Sequence, residues 1–109
     1  MKISFLDADM EGLCKRSKMA TRKLGAASAK KLQRRLSELF AARAVAELVA
    51  GRPHPLEGNR AGQFSVDLHG GCRLMFKPTR QPPPAKPDGS IDWAQVDEIT
   101  IMEAGDYHD

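Results

Sequence analysis

Cysteine is scarce in this chain: Cys14 and Cys72 are the only two. Without a second pair, or histidines at ligand spacing, they exclude a disulfide framework and a Cys/His zinc site, and they read as two reduced thiols. Long apolar runs are also missing, since no stretch reaches the roughly 18 residues that a membrane span requires. The opening MKISFLDADMEGL lacks the apolar h-region of a secretory leader because Asp7, Asp9 and Glu11 interrupt it, so a cytoplasmic location with no membrane partner is expected.

Charge of one sign is absent over two stretches. Residues 14–37 hold nine Lys or Arg and no acid, whereas residues 88–109 hold seven acids and no Lys or Arg. The net charge of +3 conceals this asymmetry. A basic patch of that density either faces a polyanion such as nucleic acid or is a solvated helix face, and on this feature alone both readings stand.

What is present suits one folded unit. With 41% hydrophobic and 28% charged residues, the composition is that of a globular protein. A chain of 109 residues buries only about 60–70% of its unfolded surface, so a single domain over residues 1–109 is expected. KISFL alternates as a short strand. From residue 8 to about 19, Met10, Leu13 and Cys14 fall at helical spacing. In SAKKLQRRLSELFAARAVAELVAG, Leu32, Leu36, Leu39, Phe40 and Leu48 predict one apolar stripe on a helix that Gly51 ends, with Lys30, Lys31, Arg34 and Arg35 largely on the other side. The two helices are expected to form a hairpin on one face of a sheet.

After GRPHPLEGNRAG, a loop by its proline and glycine content, come the strands QFSVDLH and CRLMFK. A two-residue Gly70-Gly71 turn would set Leu68 against Arg73 and mix polar with apolar side chains on both faces. A three-residue turn, His69-Gly70-Gly71, instead pairs Leu68 with Cys72, Val66 with Leu74 and Phe64 with Phe76, giving one clean apolar face. It expects Gly71 in the left-handed conformation and puts Asp67 opposite Arg73 on the face away from the core. Residues 78–90 hold five of the seven prolines and form a semi-rigid excursion. VDEITIMEA is the last strand, with Ile99 and Ile101 on one side. The fold class is therefore α+β: an N-terminal strand, a two-helix hairpin, then a three-strand antiparallel meander, with the helices on one sheet face.

Three features can carry chemistry. The ending GDYHD supplies Asp106, Tyr107 and His108, all general acid/base side-chain types, although a polar terminus with one anchoring tyrosine has the same composition. His54 is held between two prolines in RPHP, as a site residue or as a turn histidine. Arg73 and Lys77 can neutralise a phosphate and its developing charge. Arg73 can equally form an ion pair with Asp67, worth about 0.2–1 kcal/mol.

LEGNRAGQFSVDLHGGCRLMFKP, followed by the proline-rich loop, GSIDW and EITIMEAGDYH, resembles the RelE/ParE superfamily of bacterial toxins, and within it the HigB-type branch of plasmid-maintenance killer proteins. Residues match over 56–78 and at Asp106-Tyr107-His108; the first strand and helices match in pattern only. The resemblance implies a RelE-like fold and a ribosome-dependent mRNA endoribonuclease, restrained by a cognate antitoxin that is a helix-turn-helix protein of the HigA kind. It implies no cofactor and no metal, with the RNA 2′-hydroxyl as nucleophile and a 2′,3′-cyclic phosphate as product. It maps His108 as acid or base, Tyr107 as stacking or proton-transfer partner, and Asp106 beside them. Arg73 falls at the strand arginine, preceded by Cys72 in place of an aromatic residue, and His54 at the loop histidine. RNA and ribosome contacts then fall to Lys77, Arg60, Lys30, Lys31, Arg34 and Arg35. The chain departs from many relatives at Glu57, where they carry lysine. Two other readings share the fold: a ParE-like toxin that poisons DNA gyrase, and a relative that keeps only antitoxin binding and regulation.

Overall fold

The computed structural model describes residues 1–106. Strand β1 (Lys2–Phe5) is followed by helices α1 (Ala8–Lys15), α2 (Ser17–Leu24) and α3 (Ala26–Ala41). Four further strands complete the chain: β2 (His54–Pro55), β3 (Phe64–Asp67), β4 (Cys72–Pro78) and β5 (Glu98–Asp106). They form one sheet in the order β1-β5-β4-β3-β2. The expected antiparallel meander is its centre, and β1 joins parallel to β5. Among the described residues no helix is long and apolar enough to cross a membrane.

The helical layer differs from the sequence expectation in two ways. The first helix is divided at Arg16, whose extended backbone (φ −115°, ψ 110°) separates α1 from α2. Met19 packs closely against Gly12: a Cβ there would lie 3.1 Å from the methionine sulfur, which would have to give by a few tenths of an ångström. Asp7 caps α1 by accepting from the Met10 amide at 2.9 Å. Gly25, with φ +85°, is the pivot between α2 and α3, so the hairpin consists of those two helices.

The second difference is that α3 stops at Ala41, ten positions short of Gly51, although the following Ala-rich segment favours helix. Tertiary contacts decide the matter. The Met1 ammonium donates to the carbonyls of Leu39, Phe40 and Ala42 at 3.1, 2.9 and 2.7 Å, satisfying the last turn with a cation. Val45 then enters the core through a 3-10 turn, Val45–Glu47, and its amide bonds to the Val96 carbonyl. Phe40 leaves the predicted stripe and is 62% exposed. Arg35 leaves the predicted polar face: it is 7% exposed, on the same arc as Leu32, Leu36 and Leu39.

The hairpin register is the three-residue one: Phe64 faces Phe76, Val66 faces Leu74 and Asp67 faces Arg73. The Leu68 amide bonds to the Cys72 carbonyl at 2.8 Å. The left-handed glycine is Gly70 (φ +62°), however, rather than Gly71. Core-facing Phe64, Val66, Leu74 and Phe76 meet Leu32 and Leu36 of α3 in one buried cluster. Ile99 and Ile101 join them from β5, both fully buried.

Between Met75 and Phe76 the β4–β5 register shifts, so that Phe76 faces Ile101 while Met75 faces Glu103 and Met102 is the extra residue. The loop predicted around RPHP contains β2, a two-residue edge strand antiparallel to β3. Proline is compatible with that position because an edge strand has a side on which no ladder donor is needed.

Candidate functional site

Opposite the helices, the sheet presents a second face whose residues are fixed by register. His54 of β2 faces Ser65 of β3, which faces Met75 of β4, which faces Glu103 of β5. One row along lie Asp67, Arg73 and Gly105; on the other side lie Lys77 and Thr100. With strands about 4.8 Å apart and about 3.4 Å per residue, the Cα atoms of His54 and Arg73 are separated by about 12 Å. Both side chains are long enough to touch one nucleotide placed between them.

His54 is held by its own loop. Its Nδ1 lies 2.7 Å from the Arg52 carbonyl oxygen, which can only accept, so Nδ1 carries the proton. In the neutral ring Nε2 then keeps its lone pair and is a free base. Arg52 has φ +47°, a left-handed conformation uncommon for a residue with a side chain, and this turn aims its guanidinium back at the sheet. Its Nε donates to Asp67 Oδ2 at 2.9 Å. Arg73 Nε stands 3.8 Å from the other oxygen, Oδ1, close enough for attraction and too far for a hydrogen bond. Two arginines thus flank one carboxylate.

Arg60 and Glu103 form a second, separate pair. The 3-10 turn Gly58–Arg60 brings Arg60 over the sheet, where its guanidinium donates to Gln63 Oε1 at 3.0 Å and to the Glu103 carboxylate. Gln63 precedes β3 and Glu103 is on β5, so the side chain passes over β4 at Met75, which is fully buried. Four cations, Arg52, Arg60, Arg73 and Lys77, therefore gather at this face with two carboxylates, Asp67 and Glu103. Lys77 has no ion-pair partner among the described residues. The face remains cationic and suits an anionic ligand.

The candidates from sequence do not all come together. His54, Arg73, Lys77 and Arg60 share the second face. Asp106 is exposed and faces Cys72, whose side chain is in the core, so strand alternation puts it on the helix side instead of beside Arg73. Tyr107 and His108 lie outside the described residues. Lys30 and Arg34 are exposed and Lys31 half-buried on α3, in the other layer, so they offer a surface distinct from the second face.

Arg35 corrects the sequence reading of a solvent-facing, RNA-binding cation. It donates from Nε to the Asp67 carbonyl at 2.9 Å and from Nη1 to Glu38 Oε1 at 3.0 Å. Its guanidinium is consumed inside the fold, where burial is tolerated because both charge and donors are matched.

Two residues escaped the sequence reading. Arg52 was hidden because its role depends on a left-handed turn, although its place two residues before His54 was a signal. Ser65 is fully buried on this face opposite Met75, and its Oγ has no hydrogen-bond partner among the described residues. No group of three or more metal-ligating side chains gathers among the described residues. Cys14, in a groove of about 310 Å³ lined also by Ile3, Phe5, Leu36 and Phe40, has its thiol pushed by burial up to about 11 and is unreactive near neutral pH.

No family model matches the chain, and no curated protein matches it. Among solved structures it is similar to a YoeB/ParE toxin from Agrobacterium tumefaciens, at 13% sequence identity and a TM-score of 0.62, with 99% of this chain and 100% of that chain covered. At that identity the likeness is one of architecture. With its α+β layering, mixed five-stranded sheet and full-length superposition, this chain shares the fold of that structure.

Proposed function

We propose that this protein is the toxin of a type II toxin–antitoxin system and a ribosome-dependent mRNA endoribonuclease of the HigB kind, acting in the cytoplasm. The observation that carries the reading is the juxtaposition of a base-competent His54 with the Arg52–Asp67–Arg73 cluster on one cationic sheet face. In the proposed reaction His54 Nε2 removes the proton of an RNA 2′-hydroxyl. The 2′-oxygen then attacks the adjacent phosphorus, and the bond to the 5′-oxygen breaks. Arg73 and Arg52 donate to the phosphoryl oxygens as negative charge accumulates, and donors placed this way are worth about 3–4 kcal/mol of barrier each. The departing 5′-oxygen takes a proton from an acid, a role the proposal gives to His108. The products are a 2′,3′-cyclic phosphate and a 5′-hydroxyl. Lys77 extends the cationic track along the message, and Lys30, Lys31 and Arg34 provide a second surface for ribosomal RNA.

Primer extension on mRNA after induction tests this, comparing wild type with His54→Ala, Arg73→Ala and His108→Ala. Loss of a base or acid lowers the cleavage rate by roughly 10²–10⁴-fold. Unchanged cleavage in all three variants would sink the assignment. The partner this reading requires is a helix-turn-helix, HigA-like antitoxin, and co-expression with the product of an adjacent gene should restore growth.

A second reading is favoured by the similarity to the Agrobacterium tumefaciens structure, a YoeB/ParE toxin. A ParE-like toxin would inhibit DNA gyrase and would need no proton-transfer residue. A supercoiling assay separates the two, with inhibition by both wild type and His54→Ala supporting the gyrase reading. Glu57, exposed in the loop before Arg60, supports a third, in which only antitoxin binding and regulation persist; arrest of growth by the toxin alone argues against it.

A further inference from the structure

We propose that Asp67 is a positioning residue that sets Arg52 and Arg73 as the two prongs of one anion clamp, and that Arg35 anchors Asp67 from the helical layer. This rests on the reading of the second face as a phosphate site. One residue meets three arginines through three different oxygens: Oδ2 accepts from Arg52 Nε at 2.9 Å, Oδ1 lies 3.8 Å from Arg73 Nε, and the backbone carbonyl accepts from Arg35 Nε at 2.9 Å.

The nitrogens involved matter. Arg52 and Arg73 both approach Asp67 through Nε, the nitrogen nearest the stem. The terminal nitrogens of both forks, which match a phosphate bidentately, have no acceptor among the described residues. An aspartate that merely neutralised these cations would serve as well by engaging their tips. Asp67 Oδ1 is buried and has no hydrogen-bond partner among the described residues, so the carboxylate has one unused acceptor on the Arg73 side. Drawing Arg73 inward by about 1 Å would bring it within hydrogen-bond range. The clamp is thus set on the Arg52 side and left open by that margin on the other.

Asp67 itself is fixed from outside the sheet. Because β2 is only two residues long, Asp67 has no strand partner on that side, and its amide and carbonyl are satisfied by other groups. The amide donates to the Gly51 carbonyl at 2.7 Å, and the carbonyl accepts from Arg35. Gly51 permits this approach: a Cβ at that position would lie 2.6 Å from Arg35 Nε. Glu38 holds the far end of the same guanidinium. Arg35 therefore substitutes for the missing strand donor and ties α3 to the residue that sets the clamp.

The test exploits a difference in sign. Asp67→Ala removes a negative charge, so charge alone predicts tighter binding of a polyanion, whereas loss of positioning predicts weaker binding. The probe is a 2′-O-methyl single-stranded oligoribonucleotide, which cannot be cleaved, measured by fluorescence anisotropy at fixed salt. The expected result is about tenfold weaker binding in Asp67→Ala. Asp67→Asn has the same net charge but keeps one acceptor oxygen, and it should recover a substantial part of that loss. Binding by Asp67→Ala as tight as wild type, or Asp67→Asn no better than Asp67→Ala, overturns the proposal.

Nitrogen-15 spectra of the arginine Nε–H groups give a readout independent of RNA. Exchange of Arg52 Nε–H should be slow in wild type and fast in Asp67→Ala, with Arg35 Nε–H slow in both. In Arg35→Lys, which preserves charge, Arg52 Nε–H should exchange faster and oligonucleotide binding should weaken. Fast exchange of Arg52 in wild type overturns the positioning. If wild type fails to bind the oligonucleotide while the exchange pattern is as expected, the arrangement stands and the phosphate-site reading fails.

Discussion

The two faces of the β3–β4 hairpin are made by the same eleven or so residues of chain, yet they answer to different constraints. On the helix side Phe64, Val66, Leu74 and Phe76 are packed to at most 6% exposure, and their positions follow from burial alone. On the second face Asp67 and Arg73 are 26% and 28% exposed, and their contact at 3.8 Å is too long for a hydrogen bond and adds little to stability. The core face specifies which residues oppose one another; the second face uses that register to aim groups the core does not need. A strand slipped by one residue would exchange the two faces completely, so the packing of one face is what makes the other a site.

The contrast is sharpened by substitutions that separate stability from activity. Phe76→Ala empties a fully buried position and should cost about 3–5 kcal/mol, read as a lowered urea midpoint. Gly51→Ala should cost about 2 kcal/mol on conformation alone, because its φ of +83° is left-handed and the added Cβ meets Arg35. Thermal unfolding checks this, and an unchanged midpoint would show that the loop moves aside. Arg73→Ala should change stability by less than about 1 kcal/mol while removing RNA cleavage, which is the outcome that divides the faces most cleanly. A large stability loss there would break the comparison.

The smallest effect concerns pH. The folded Cys14 thiol is raised to about 11 from 9.0, so between those values the unfolded chain gives up its proton first. The stability contributed by the neutral thiol is present below pH 9 and is lost as pH rises toward 11. Unfolding curves of wild type and Cys14→Ala should therefore converge over that interval.

How much of this was legible depended on how few alternatives each pattern allowed. A hairpin offers two faces and a small set of loop lengths, so the apolar residues alone selected the His69-Gly70-Gly71 turn, though not which glycine would be left-handed. The end of α3 was not legible, because Ala41 to Ala46 favour helix locally and the terminating contacts come from Met1 and from Val96, far away in sequence. Arg35 was partly legible: it falls three residues after Leu32 and four before Leu39, on the apolar arc, and its charge argued for the opposite assignment. The clamp was half legible. Asp67 opposite Arg73 follows from register, whereas Arg52 arrives through a backbone conformation that no periodicity announces.

The bulge in β5 has a consequence for how this sheet tolerates change. Met102 is the residue inserted between the Phe76–Ile101 and Met75–Glu103 pairs. Deleting it would leave both pairs, and the Leu74–Ala104 pair after them, with their present partners on their present faces. Deleting Thr100, by contrast, would force the chain on one side of the gap to change faces. Strand β5 thus contains a place where length is adjustable and side-chain parity is conserved, next to positions where one residue more or fewer would turn the site toward the core.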